Sequence, residues 1–110
     1  MKNNKKQMID IDEIKPGDNL FYNADENKDL IMKEIDLDET VMFALPGIYL
    51  DEYEDWIDIE NNTPVFVLEA TYKDYHPYFG PMGLVKVLAN INNKPLVGNI
   101  ASFYLFNISQ

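Results

Sequence analysis

The sequence predicts a mainly β protein, a small antiparallel barrel or sandwich of six to seven strands. Three observations carry that expectation. Apolar residues recur closer to every second position than to every 3.6 positions. The unbroken apolar runs are short, as in residues 65–68 and 103–106. Turn residues divide the runs at intervals of roughly 8–12 residues, the strand spacing of barrels and sandwiches. Within this pattern, one short segment near 48–57 reads as helical.

Taken in order, Ile9, Ile11 and Ile14 form a first short apolar segment. Lys15-Pro16-Gly17-Asp18 ends it, Pro presetting one turn dihedral and Gly supplying a positive φ. Residues 19–24 (NLFYNA) read as a strand, 25–29 (DENKD) as its turn and 30–37 (LIMKEIDL) as the return strand. Asp38 and Glu39 turn the chain into 40–45 (TVMFAL), which stops at Pro46-Gly47. In 48–60 (IYLDEYEDWIDIE), Tyr49, Tyr53 and Trp56 recur at helical spacing. Asp51, Glu52, Glu54 and Asp55 would suit the positive end of a helix dipole. Ile57 and Ile59 alternate as a strand does, so the reading is one or two helical turns leading into a short strand at 56–60. Residues 61–64 precede another β run, 65–72 (VFVLEATY). Finally 84–91 and 96–108 flank Asn92-Asn93-Lys94-Pro95, a hairpin signal with a four-residue connection.

The chain has 110 residues and 12.8 kDa. That fits one β-rich domain over 8–110 behind a flexible basic N-terminus, 1–7. No apolar stretch approaches the ~20 residues of a spanning helix, and no signal-peptide core follows the basic start. The expected location is cytoplasmic. High Asn, Ile and Lys usage without arginine is what AT-rich coding produces, pointing to a low-GC bacterium or one of its phages. The absence of cysteine excludes disulfides, thiolate metal sites and cysteine nucleophiles.

Nineteen acids face nine bases, all lysine, for a net charge of −10. Without arginine the bidentate clamp on phosphate or guanine is missing, and the charge repels a polyanion. Direct nucleic-acid binding is therefore excluded. The charge is also segregated. Residues 7–72 carry eighteen acids against Lys15, Lys28 and Lys33, whereas 73–110 carry three lysines against Asp74 alone. Between Lys33 and Lys73 stand eleven acids and no base. A purely solubilising surface mixes both signs; a segregated one builds a field that a basic partner meets.

The order of Gly17-Asp18, an apolar-x-aromatic strand, an acidic turn, then strand, turn and strand across 17–45 resembles the opening hairpins of SH3-like and Tudor-like barrels. The resemblance implies a five-stranded barrel that binds peptides or modified side chains. The chain departs from it in the long acidic segment 48–60 and in the long terminal hairpin.

Catalytic signatures are weak. His76 is the only histidine, and neither Ser102 nor Ser109 sits on a glycine-flanked nucleophile turn. One histidine with carboxylates makes a poor zinc site, so His76 reads as a loop residue without a catalytic role. Asp25-x-Asn27-x-Asp29 matches the first three ligand positions of an EF-hand loop. Leu30 and Asp36 then stand where Gly and Glu belong, so a plain turn explains DENKD better. No phosphate-binding glycine loop or H-E-x-x-H motif occurs. The expectation is a non-enzyme with no metal and no cofactor.

Tyr72, Tyr75, Tyr78 and Phe79 crowd into 72–83, a stretch broken by two prolines and two glycines. Such a loop either presents aromatics for recognition or plugs a barrel end. The leading functional expectation is a small acidic binding protein that blocks a basic or nucleic-acid-binding surface of a protein partner. Asp51, Glu52, Glu54, Asp55, Asp58 and Glu60 would stand in for phosphates, with Tyr53, Trp56, Tyr75, Tyr78 and Phe79 as anchors. Its concrete form is an inhibitor that mimics DNA, phage-encoded and anti-defence in kind. Three other classes stay open: an immunity protein for one toxin, a barrel for a small molecule or peptide closed by 72–83, and a virion or assembly component using the terminal hairpin edge.

Overall fold

A computed structural model of the chain describes residues 9–25, 46–76 and 80–107. The expected flexible N-terminus, the turn and two strands over 26–45, and Tyr78 and Phe79 lie outside the described residues. What is described is mainly β, with no helix beyond isolated 3-10 turns. The strands are β1 (Asn19–Tyr22), β2 (Ile48–Leu50), β3 (Asp55–Ile57), β4 (Thr63–His76), β5 (Gly80–Ile91), β6 (Lys94–Ala101) and β7 (Leu105–Asn107). All pair antiparallel in a single sheet of order β3-β2-β6-β5-β4-β1-β7, with β3 and β7 at its edges.

The sheet is rolled. Tyr22 on β1 accepts a hydrogen bond from the Gly47 N–H just ahead of β2, at 2.7 Å. In a flat sheet four strand spacings would separate these strands, roughly 19 Å. Curling brings both ends onto one core, where Ile48 and Leu50 join Leu20, Leu105, Val67, Val85, Val87 and Ile100. Two register shifts in β4, at Val67/Glu69 and Ala70/Tyr72, supply bends of the kind bulges produce. A single rolled sheet forms here, so the two-sheet sandwich is set aside.

The β-rich terminal half forms a meander, β4–β5–β6. Between β5 and β6 the turn is only Asn92 and Asn93, with φ of 56° and 66°. Asparagine tolerates this left-handed region, and two such residues match the twist of a tight hairpin. Lys94 already pairs with Ile91, so the connection is two residues and not the expected four.

The expected strand over 96–108 is broken by a 3-10 turn, Ser102–Tyr104. There the Gly83 N–H donates to Ser102 Oγ at 3.0 Å. The break lets the chain leave β6 and return as β7 beside β1, burying Phe103 and Tyr104 completely. The first apolar segment is likewise a 3-10 turn, Ile11–Glu13, with Ile11 and Ile14 in the core.

The helical reading of 48–57 is corrected. The segment is a hairpin in which Ile48, Tyr49 and Leu50 pair with Ile57, Trp56 and Asp55. Tyr49 and Trp56 are cross-strand partners with rings 5.5 Å apart, so their seven-residue spacing reflects pairing across a turn. Only the turn 51–54 has helix-like bonding, both Tyr53 and Glu54 N–H groups pointing at the Leu50 carbonyl at 3.2 and 2.7 Å. Glu54, at φ 53°, ends it. So short a helix crowded with like charge is marginal alone, whereas Ile48 and Leu50 gain burial as alternating strand residues.

Candidate functional site

Alternation assigns each strand residue to the core or to the outer face. One outer row runs across five strands: Trp56, Tyr49, Asn99, Lys86 and Glu69. Asn99 is its buried centre, only 6% exposed. Its Nδ2 donates to Asp51 Oδ1 at 3.1 Å, and its Oδ1 lies 3.1 Å from the Thr71 hydroxyl. That hydroxyl is also 3.3 Å from the Leu84 carbonyl, so its single proton serves one acceptor at a time. The Asp51 carboxylate, an acceptor only, fixes which way the Asn99 amide faces.

This bridge ties the acidic turn to β6 and to the β4 bulge. Above it lies an open hollow of about 300 Å³, walled by Tyr49, Asp51, Tyr72, Leu84 and Lys86. Acid and aromatic residues that are far apart in sequence, Asp51 and Tyr72, thus meet on one surface. Gly98 makes the seam possible: a Cβ there would stand 2.6 Å from the Tyr49 carbonyl and 2.7 Å from the Ile48 side chain.

The turn itself is all surface. Asp51, Glu52, Glu54 and Asp55 are exposed, as are Asp58 and Glu60 beyond β3. Among the described residues none of the six has an ion-pair partner, the ion pair found being Lys73 with Asp12 at 3.5 Å. Tyr53 projects from the turn at 54% exposure, while Trp56 is half-buried against Tyr49. The negative field reaches back into the fold. Tyr22 is pushed up to about 12, chiefly by burial and further by Asp58 and Asp25, with the Gly47 hydrogen bond opposing.

The expected aromatic loop 72–83 is for the most part hairpin. β4 extends to His76 and β5 begins at Gly80, with Tyr72, Tyr75 and His76 opposite Leu84, Pro81 and Gly80. Gly83 permits this, because a Cβ there would collide with the Tyr72 carbonyl. His76 accordingly ends a strand and is not a loop residue. Tyr75 is 68% exposed and Tyr72 exposed, so neither plugs the core.

Asn99, Thr71 and Lys86 were not legible as site residues. The available signal was Asn99, a lone amide inside the apolar stretch 96–106.

The chain is a mainly β protein whose rolled sheet carries an acidic hairpin at one edge. No family model, curated protein or solved structure matches it.

Proposed function

We propose that the protein is a non-enzymatic binding protein that presents the β2–β3 hairpin to a basic surface of a protein partner. The partner surface is one that otherwise holds nucleic acid, and the protein acts on it as an inhibitor. The observation that supports this most is the turn 51–54 with Asp55. It exposes four carboxylates around Tyr53 that have no ion-pair partner among the described residues, on a segment anchored through Asn99. Anchoring matters because fixed charges cost less ordering on binding than mobile ones. Carboxylates steer encounter with a basic surface, and Tyr53 supplies contact area that slows dissociation. An origin in a phage, with a host defence enzyme as target, is the setting this reading favours.

The test is affinity capture from a low-GC bacterial lysate, one half of the beads being eluted with duplex DNA and the products identified by mass spectrometry. A nucleic-acid enzyme released by DNA is expected. A variant carrying Asp51→Asn, Glu52→Gln, Glu54→Gln and Asp55→Asn should bind it at least ~10-fold more weakly at low salt, with a flatter salt dependence. A partner that DNA cannot displace, or one the variant holds as tightly, removes the reading.

A further inference from the structure

The hollow above Asn99 is lined by two charges of opposite sign that do not pair with each other. Asp51, directly after β2, stands on one side and Lys86 of β5 on the other, with β6 between them. Two strand spacings separate those sides, roughly 10 Å. Asp51 gives Oδ1 to Asn99, and its side chain has no other hydrogen-bond partner among the described residues. Lys86 is half-buried. Among the described residues its ammonium makes neither an ion pair nor a hydrogen bond, not even with Glu69 opposite it on β4. The neighbouring outer row of Phe66, Leu88 and Val97 brings no further charge. Tyr49, Tyr72 and Leu84 supply apolar surface around the two charged groups.

We propose that this hollow binds a free α-amino acid with an apolar or aromatic side chain, its ammonium on Asp51 and its carboxylate on Lys86. Charge selects the ligand. A plain cation meets Lys86, whereas a plain anion meets Asp51 and the field of a chain at −10. A zwitterion satisfies both sides and adds no net charge. Size agrees, because about 300 Å³ is the small end of ligand sites. The two charged ends of one α-amino acid lie about 3 Å apart, and a charge-assisted hydrogen bond of ~2.8 Å at each end gives a span of roughly 8 Å. A lysine side chain adjusts to that gap. Asn99 acts as a positioning residue, holding the Asp51 carboxylate in place before the ligand arrives and so lowering the ordering cost of binding. The site shares Asp51 with the acidic hairpin, but Lys86 lies outside that hairpin, so the two readings stand or fall separately.

Isothermal titration calorimetry of the full chain with L-phenylalanine and L-leucine, each up to about 10 mM, tests it. Saturable binding of at least one is expected. The better binder is then compared with the amine that lacks its carboxylate and the acid that lacks its ammonium. Each should bind at least ~10-fold more weakly, since each leaves one charge of the hollow unanswered. Lys86→Met should weaken the amino acid at least ~10-fold without weakening the amine. Asp51→Asn, which keeps an acceptor for Asn99, should weaken the amino acid as much without weakening the acid. Circular dichroism shows that both variants retain their strands. Absence of saturable binding by either amino acid overturns the proposal. So does an amino acid held no more tightly than its amine or its acid, or one that both variants bind as tightly as the parent.

Discussion

The acidic hairpin and the uncharged field of Phe66, Leu88 and Val97 belong to one sheet and lie only a few strands apart, yet they would respond to solvent in opposite ways. The hairpin edge exposes Asp51, Glu52, Glu54 and Asp55, which have no ion-pair partner among the described residues. The field carries apolar side chains and amides with no charge among them. Added salt screens the charge of the first and strengthens the tendency of apolar surface such as the second to be buried. Charge here is sorted by row along the strands of the meander, Glu69 and Lys86 standing in the row of Asn99 and no charge in the row of Phe66, Leu88 and Val97, and Asn99 with Gly98 forms the seam to the acidic hairpin.

The seam is where the comparison breaks most easily. Gly98→Val places a branched side chain against the Tyr49 carbonyl and Ile48, driving β2 away from β6. A loss of about 3 kcal/mol or more is expected, a fall in Tm of over ~12 °C for a domain of this size, measurable by thermal unfolding. A Tm within a few degrees of the parent would show that the hairpin does not need this close approach.

Tyr22→Phe attacks the closure of the roll. It leaves the buried Gly47 N–H without its acceptor, at a cost of about 1–3 kcal/mol. The same tyrosine gives the comparison a pH axis. Its folded pKa lies near 12, above the ordinary 10, so the neutral form is the one the fold holds. Its contribution is therefore complete below pH 10 and is lost as pH rises through 12. Chemical denaturation from pH 8 to 12 should show stability falling above pH 10, less steeply in Tyr22→Phe. An identical slope in the two proteins would contradict this.

Asn99→Ala sharpens the contrast without disturbing the core. It removes the bridge between Asp51 and Thr71, and a loss of about 1–2 kcal/mol is expected. Hydrogen exchange should rise at 48–57 while the β4–β5 amides around Phe66 stay protected. Uniform exchange across the sheet would mean that Asn99 does not anchor the hairpin.

The smallest effect has the opposite sign. Neutralising Asp51, Glu52, Glu54 and Asp55 together relieves repulsion, and it should stabilise the chain by a few tenths of a kcal/mol at low salt and by nothing at high salt. Asparagine at 51 keeps an acceptor for Asn99. A destabilised variant would mean these carboxylates hold structure in addition to carrying charge.

Much of the sheet was legible. Short apolar runs between turn residues marked 65–72 and 84–91, which lie in β4 and β5, and Gly17 and Gly47 each adopt the positive φ their turns require. The hairpin 48–57 was misread because Tyr49 and Trp56 satisfy a helical stripe and a cross-strand pair equally well, and periodicity alone cannot separate the two. The uncharged field left a trace in unbroken runs such as 65–68, where a strand with one solvated face would alternate.

The sequence by itself determined the β-rich class, the turns at Gly17 and Gly47, the net charge of −10 and the run of acids without a base between Lys33 and Lys73. These follow from local dihedral preferences and from counting, and both act over a few residues. Only the tertiary structure decided that β1 sits between β4 and β7, that Asn99 meets Asp51, and that Phe66, Leu88 and Val97 align. Those are contacts between residues far apart in the chain. They are set by register and by the burial of one shared core, which no local pattern encodes.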